Sequence, residues 1–280
     1  PSAHAIEREF KVMQGLYGTD VPVPQMHVLC EDESIIGRAF YVMAFVQGRV
    51  LWDQTLPSLN NMARASIYDE MNRVIAALHT VPFAQRGLEN YGRPGNYFER
   101  QIGRWSKQYA ASVTQPIPEM DKLIEWLPAH MPASAQDASK VSIVHGDYRL
   151  DNLMFHPTQP RVLAVLDWEL STLGEPLADF TYLLMNWHNG AIAQIPDFKA
   201  HGIPTVEEYV EEYCRLTGRA GLPEVNWFFA YNAFRLAGIL QGIVGRVRDG
   251  TANSPQAAAM ADRVPNLAQS AWAFAKKAGA

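Results

Sequence analysis

Asp147, Asn152 and Asp167 put two carboxylates and a carboxamide into one short region, in HGDYRLDN at 145–152 and VLAVLDWE at 162–169. A carboxylate can orient a hydroxyl and take its proton. A second carboxylate and an amide oxygen are hard ligands that Mg²⁺ accepts beside water and phosphate. Phosphoryl transfer from ATP calls for this set, because its transition state is stabilised by position and charge rather than by covalent help from the protein. The five-residue step from Asp147 to Asn152 is a loop spacing that can turn both side chains to one mouth, and a hairpin over 153–166 would return Asp167 beside them. A metal-dependent hydrolase would need more histidine or carboxylate ligands than this stretch carries.

The elements that must position these residues follow from periodicity and punctuation. VSIVHGD, NLMFHP and RVLAVLDW read as three short strands, with the turn HPTQP between the last two. Ahead of them, Ile6, Phe10, Val12, Met13 and Leu16 recur at helical spacing up to Gly18, and VPVP at 21–24 cannot continue that helix. Two strand-like runs follow, 25–30 and 39–45. Ile67, Met71, Val74, Ile75 and Leu78 share one face of a helix over about 61–80. Further helices are expected near 97–111, 119–130, 176–188, 205–217, 224–247 and 255–277. Helix and small sheet first, helices next, a short β island, then helices again describe an α+β fold with a mainly helical second lobe.

Composition excludes other classes. Among 280 residues, 48% are hydrophobic and 19% charged, as in ordinary globular enzymes, and no run of about 18 apolar residues could span a bilayer. A net charge of -5 with scattered arginines gives no nucleic-acid footprint. Cys30 and Cys214 form neither a CxxC nor a Cys/His cluster, so a reducing cytoplasm is the expected location. The chain opens at Pro1 directly into helical sequence and reads as part of a longer protein.

HGD followed five residues on by Asn, and then by an Asp closing an apolar strand, resembles the catalytic loop and metal-binding strand of the aminoglycoside phosphotransferase and choline kinase-type family, itself protein-kinase-like. The resemblance covers nearly the whole chain. It implies a two-lobe fold, with 1–46 the remnant of a nucleotide-binding lobe and hinge, and 47–280 a helical lobe carrying the catalytic loop and acceptor pocket. It makes Asp147 the catalytic base, and Asn152 and Asp167 the Mg²⁺ ligands. IEREF at 6–10 is similar to the family's glutamate-bearing helix, so Glu9 would partner a nucleotide-binding lysine. YVMAFVQG at 41–48 looks like the hinge, where Ala44 C=O and Val46 N–H would meet adenine with Met43 behind the ring. GEPLADF at 174–180 places Asp179 to hold the catalytic loop, with His145 as a packed support of it. Arg149, two residues past the base, would neutralise the transferred phosphoryl group.

Two departures qualify that match. No glycine-rich loop or strand lysine precedes Glu9, so a nucleotide-binding pseudokinase or interaction module is the alternative to an enzyme. Trp168 and Glu169 replace the Phe-Gly of protein kinases, which argues against a regulated activation segment. PSAHAIEREF, LCEDESIIGRAFYVM and VHGDYRLDNLMF look most like kinase-like domains associated with acyl-CoA dehydrogenases, for which the small-molecule hydroxyl acceptor would be a hydroxyacyl-CoA or related metabolite.

Overall fold

A computed structural model of the chain describes residues 6–93, 95–251 and 260–280. In chain order the first elements are α1 (Ile6–Leu16), β1 (Met26–Cys30), β2 (Phe40–Met43), β3 (Arg49–Val50), α2 (Asn61–Thr80), α3 (Tyr97–Ser112) and α4 (Pro118–Ala129). After them come β4 (Ser142–Val144), β5 (Leu153–Phe155), β6 (Val162–Val165), β7 (Thr172–Gly174), α5 (Pro176–Asn189), α6 (Val206–Thr217), α7 (Val225–Arg248) and α8 (Arg263–Lys277). The expected last helix over 255–277 is shorter at its start: α8 begins at Arg263, and 255–259 lie outside the described residues. Contacts divide the chain into two units, Pro1–Pro94 with Lys140–Leu222, and Gly95–Ser139 with Pro223–Ala280.

The first unit carries all seven strands described. β1 and β2 pair antiparallel, Cys30 opposite Phe40 and Met26 opposite Met43. β5 and β6 form the expected hairpin, with Leu153 opposite Val165, and β3 adds to its other edge through Arg49 and Phe155. β4 pairs with β7, which the sequence reading did not anticipate, because TLG is too short and too plain to signal a strand. α2 starts at an Asn60 cap whose side chain accepts the Ala63 N–H at 2.9 Å. Such a cap stabilises a helix by about 1 kcal/mol. Its expected apolar face is the buried one: Ile67, Met71, Val74, Ile75 and Leu78 are all inaccessible, each contributing roughly 1.5–3 kcal/mol of burial. α6 closes a full capping box between Thr205 and Glu208.

The second unit is helical among its described residues. Phe98 of α3 packs against Trp227, Phe228 and Tyr231 of α7 at ring separations of 5.0, 5.5 and 4.8 Å. The aromatic run of α7 is therefore core.

Candidate active site

β4 ends at Val144 and releases the chain into His145–Gly146–Asp147, which α5 then holds. Pro176 opens α5 with its φ already preset, and the first turn presents Asp179 to the loop. Asp179 Oδ2 accepts the His145 N–H at 2.5 Å and Oδ1 accepts the Gly146 N–H at 2.7 Å. The carboxylate is buried, and His79 Nε2 lies 3.5 Å from Oδ2 while His79 Nδ1 meets the Tyr213 hydroxyl at 2.7 Å. Burial works to raise the Asp179 carboxyl, but His79 and the backbone donors win and hold it below the ordinary range. Burial holds His79 below the ordinary imidazole range, so a neutral ring carrying its proton on Nε2 fits both contacts.

Gly146 sits at φ +86°, and a Cβ there would come within 2.9 Å of Leu170. Both the backbone angle and the close approach demand glycine. His145 is buried; its Nε2 contacts the Leu166 carbonyl at 2.8 Å and its Nδ1 accepts the Asp147 N–H at 3.2 Å. That pairing defines the Nε2–H tautomer and ties the loop to the end of β6. Both ring nitrogens of His145 are thus committed to backbone groups, one within the loop and one after β6.

Asp147 is half-buried and both its carboxylate oxygens meet protein donors. The Tyr182 hydroxyl donates to Oδ1 at 2.6 Å, and Asn152 Nδ2 lies 3.2 Å from Oδ2 and 2.8 Å from the Asp147 carbonyl. Asn152 thus spends its NH₂ on Asp147, leaving its amide oxygen as the atom suited to a cation. The Leu166 N–H donates to the Asn152 carbonyl at 2.8 Å, which sets Asp167 next to Asn152.

Asp167 is exposed and adopts φ +62°, ψ +64°, a left-handed conformation costing a non-glycine residue about 1 kcal/mol or more. The turn behind it is pinned: Trp168 is buried with its Nε1 donating to the Val165 carbonyl at 3.0 Å, and the Ser171 hydroxyl donates to the Trp168 carbonyl at 2.5 Å. Among the described residues no group of three or more His, Cys, Asp or Glu side chains could hold a metal ion by itself. One amide oxygen and one carboxylate, completed by water and a ligand's phosphate oxygens, match what Mg²⁺ accepts, so the donor set fits that ion.

Glu9 reaches the same neighbourhood from α1. The Tyr41 hydroxyl of β2 donates to Glu9 Oε2 at 3.2 Å, and its pKa is pushed up to about 12 by burial first, then by Glu9 and by the charge of Asp167. Arg8 ties α1 to the turn after Asp167: it donates to the Tyr91 carbonyl at 2.9 Å and the Ser171 carbonyl at 3.1 Å, and covers the Tyr91 ring at 4.5 Å. After β2, the Ala44 N–H is used by the Gln25 carbonyl at 2.8 Å, so Ala44 could offer a ligand only its C=O. Met43 is exposed and Val46 half-buried beside it in sequence.

Arg149 forks onto Asp151, Nε to Oδ1 at 2.7 Å and Nη2 to Oδ2, and Gln54 Nε2 approaches the same carboxylate at 3.3 Å. The guanidinium is close enough to Asp147 for that charge to act on it. Asp151 orients Arg149.

Sequence reasoning missed Tyr182, Tyr41 and Gln54. Tyr182 carried a usable signal, since it follows Asp179 by three residues and so shares its helix face. Tyr41 and Gln54 carried none, because their partners are far away in the chain.

A family model described as "Phosphotransferase enzyme family" matches residues 1–228. Mouse "Acyl-CoA dehydrogenase family member 10" is 44% identical over 285 residues, covering all of this chain but only 26% of that protein. A crystal structure of a Ralstonia eutropha protein assigned as an aminoglycoside phosphotransferase superposes with a TM-score of 0.93 at 58% identity, covering 98% of this chain and 84% of the other. The GDP complex of aminoglycoside 2'-phosphotransferase-IIIa shares the fold at a TM-score of 0.60 and 13% identity, covering 98% of this chain and 83% of the other. The fold is thus protein-kinase-like, as the catalytic-loop resemblance implied.

Proposed function

This chain belongs to the phosphotransferase enzyme family, and on that premise we propose that it transfers the γ-phosphoryl group of ATP to the hydroxyl of a small metabolite. The observation that carries the reading is the joining of Asp147 to Asn152, through the amide contacts at 2.8 and 3.2 Å, within the HGD-to-Asn loop.

In this reading Asp147 accepts the acceptor's O–H and takes its proton as the acceptor oxygen bonds to the γ-phosphorus. The bond from that phosphorus to the bridging oxygen breaks, and ADP leaves with the electron pair. Asn152 Oδ1 and the Asp167 carboxylate would hold Mg²⁺, which when bound neutralises charge on the phosphate oxygens. Arg149, aimed by Asp151, adds a guanidinium beside the transferred group. Residues 1–46 form the remnant of a nucleotide-binding lobe with its hinge, with Glu9 the partner of a lysine, and Ala44 C=O, Val46 N–H and Met43 forming the adenine seat. Residues 47–280 supply the catalytic loop and acceptor pocket.

The acceptor class is a hydroxyacyl-CoA or related hydroxylated metabolite, a choice supported by the identity to a protein named for acyl-CoA dehydrogenation. An ATP-consumption screen of the full protein against hydroxyacyl-CoAs, aminoglycosides, choline-like alcohols and sugars tests it. A phosphorylated hydroxyacyl product, identified by mass spectrometry, is the expected result. Nucleotide binding without turnover on any of them would favour the pseudokinase instead.

A further inference from the structure

We propose that Tyr182 caps the catalytic carboxylate against water until an acceptor displaces its phenol. The inference rests on the phosphotransferase reading above and concerns what that reading leaves unprotected. Any nucleophile that Asp147 activates must first donate its O–H to a carboxylate oxygen. Water is a competent nucleophile for a bound ATP: its oxygen bonds to the γ-phosphorus, the bond to the bridging oxygen breaks, ADP departs with that electron pair, and the water proton passes to Asp147. A kinase that admits water to its base therefore wastes ATP.

The geometry obstructs that route. Asp147 Oδ1 is taken by the Tyr182 hydroxyl at 2.6 Å and Oδ2 by Asn152 Nδ2 at 3.2 Å. The shorter of the two contacts belongs to the group outside the proposed metal site, and an O–H donor on Oδ1 stands where a nucleophile's O–H would stand. α5 holds it there by a rigid route, since Asp179, three residues earlier on the same helix face, grips the backbone of the loop through two N–H groups. Tyr182 is half-buried, unlike the fully buried Phe180, Leu183 and Leu184 around it, so its ring can leave the carboxylate without opening the core. A bound acceptor replaces one O–H donor with another and loses little in doing so. A single water, held by nothing else, does not repay displacement of a phenol bonded to a charged partner.

The test is ATP hydrolysis without acceptor, measured as ADP and inorganic phosphate release from the full protein, in wild type, Tyr182→Phe, Asp147→Asn and the double variant. Tyr182→Phe keeps the ring and removes the donor, and a melting temperature close to wild type verifies that it folds. Acceptor-free hydrolysis should rise about tenfold in Tyr182→Phe, the worth of one hydrogen bond to a charged group, and the rise should vanish when Asp147→Asn is added. A merely structural tyrosine would lower hydrolysis and transfer together. Unchanged or reduced hydrolysis in Tyr182→Phe, with phosphoryl transfer to an alcohol of the screen intact in wild type, overturns the cap and leaves the kinase reading standing. Phosphate found on Tyr182 itself would overturn it too, as the phenol would then be an acceptor. If wild type consumes no ATP with any alcohol of the screen, the kinase reading falls and the cap with it.

Discussion

Asp179 Oδ2 accepts the His145 N–H at 2.5 Å, joining the first turn of α5 to the residue that opens the HGD loop. The same carboxylate takes the Gly146 N–H and faces His79, so one buried acid sets the path of the whole HGD segment. Replacing it with Asn substitutes an N–H₂ group for an oxygen at a site that presents donors. Asp179→Asn should lower stability by about 3–5 kcal/mol and abolish phosphoryl transfer, read by chemical denaturation and turnover. Stability within about 1 kcal/mol of wild type would show that the loop is held by something else.

The same pair makes stability pH-dependent. His79 has its pKa lowered in the folded protein, so the unfolded chain binds the extra proton as pH falls below about 6.5, and stability drains over the window beneath that value. Asp179 is also lowered; its contribution is present above about pH 3.9 and is lost as pH falls through its folded pKa. Both act in one direction. The melting temperature should decline between about pH 7 and pH 5, and His79→Gln should flatten that decline. A melting temperature that rises on acidification over this range would contradict the assignment of a neutral, buried His79.

Gly146→Ala tests the loop backbone. The new methyl group meets Leu170 at 2.9 Å and the residue must hold φ +86°, so destabilisation of about 1–3 kcal/mol is expected, together with loss of turnover as Asp147 shifts. Wild-type turnover in a folded Gly146→Ala protein would mean that the loop tolerates another path.

Arg149→Ala should cut kcat tenfold or more, about 1.4 kcal/mol, because a guanidinium beside the transferred phosphoryl group is removed. Stability should change by about 1 kcal/mol at most, since the Arg149–Asp151 pair is part-exposed and such pairs contribute little. An unchanged kcat with altered stability would make the pair purely structural.

Val46→Pro removes the backbone N–H assigned to adenine. Nucleotide affinity should fall about tenfold, measured by calorimetry with an ATP analogue, while the melting temperature without nucleotide stays close to wild type. Unaltered affinity would move the adenine seat away from 43–46.

Much of this was legible in the residues themselves. The apolar period of α2 locates that helix, because a buried stripe repeats locally every three to four residues. The β5–β6 hairpin was legible from its turn, and Asp147, Asn152 and Asp167 stood out as candidates by side-chain type and short spacing. The expected start of α8 at 255 falls outside the described residues, and among those described the helix begins at Arg263.

What only the tertiary structure decided are the contacts between distant parts of the chain: His79 against Asp179, Tyr41 against Glu9, β7 beside β4, and Tyr182 on the Asp147 carboxylate. Periodicity specifies which face of an element is buried but not which partner buries it, and a hydrogen bond spanning 32 positions from Glu9 to Tyr41 leaves no mark on either local pattern. The chain therefore declares its candidate groups in sequence, and packing alone decides which donor each carboxylate oxygen meets.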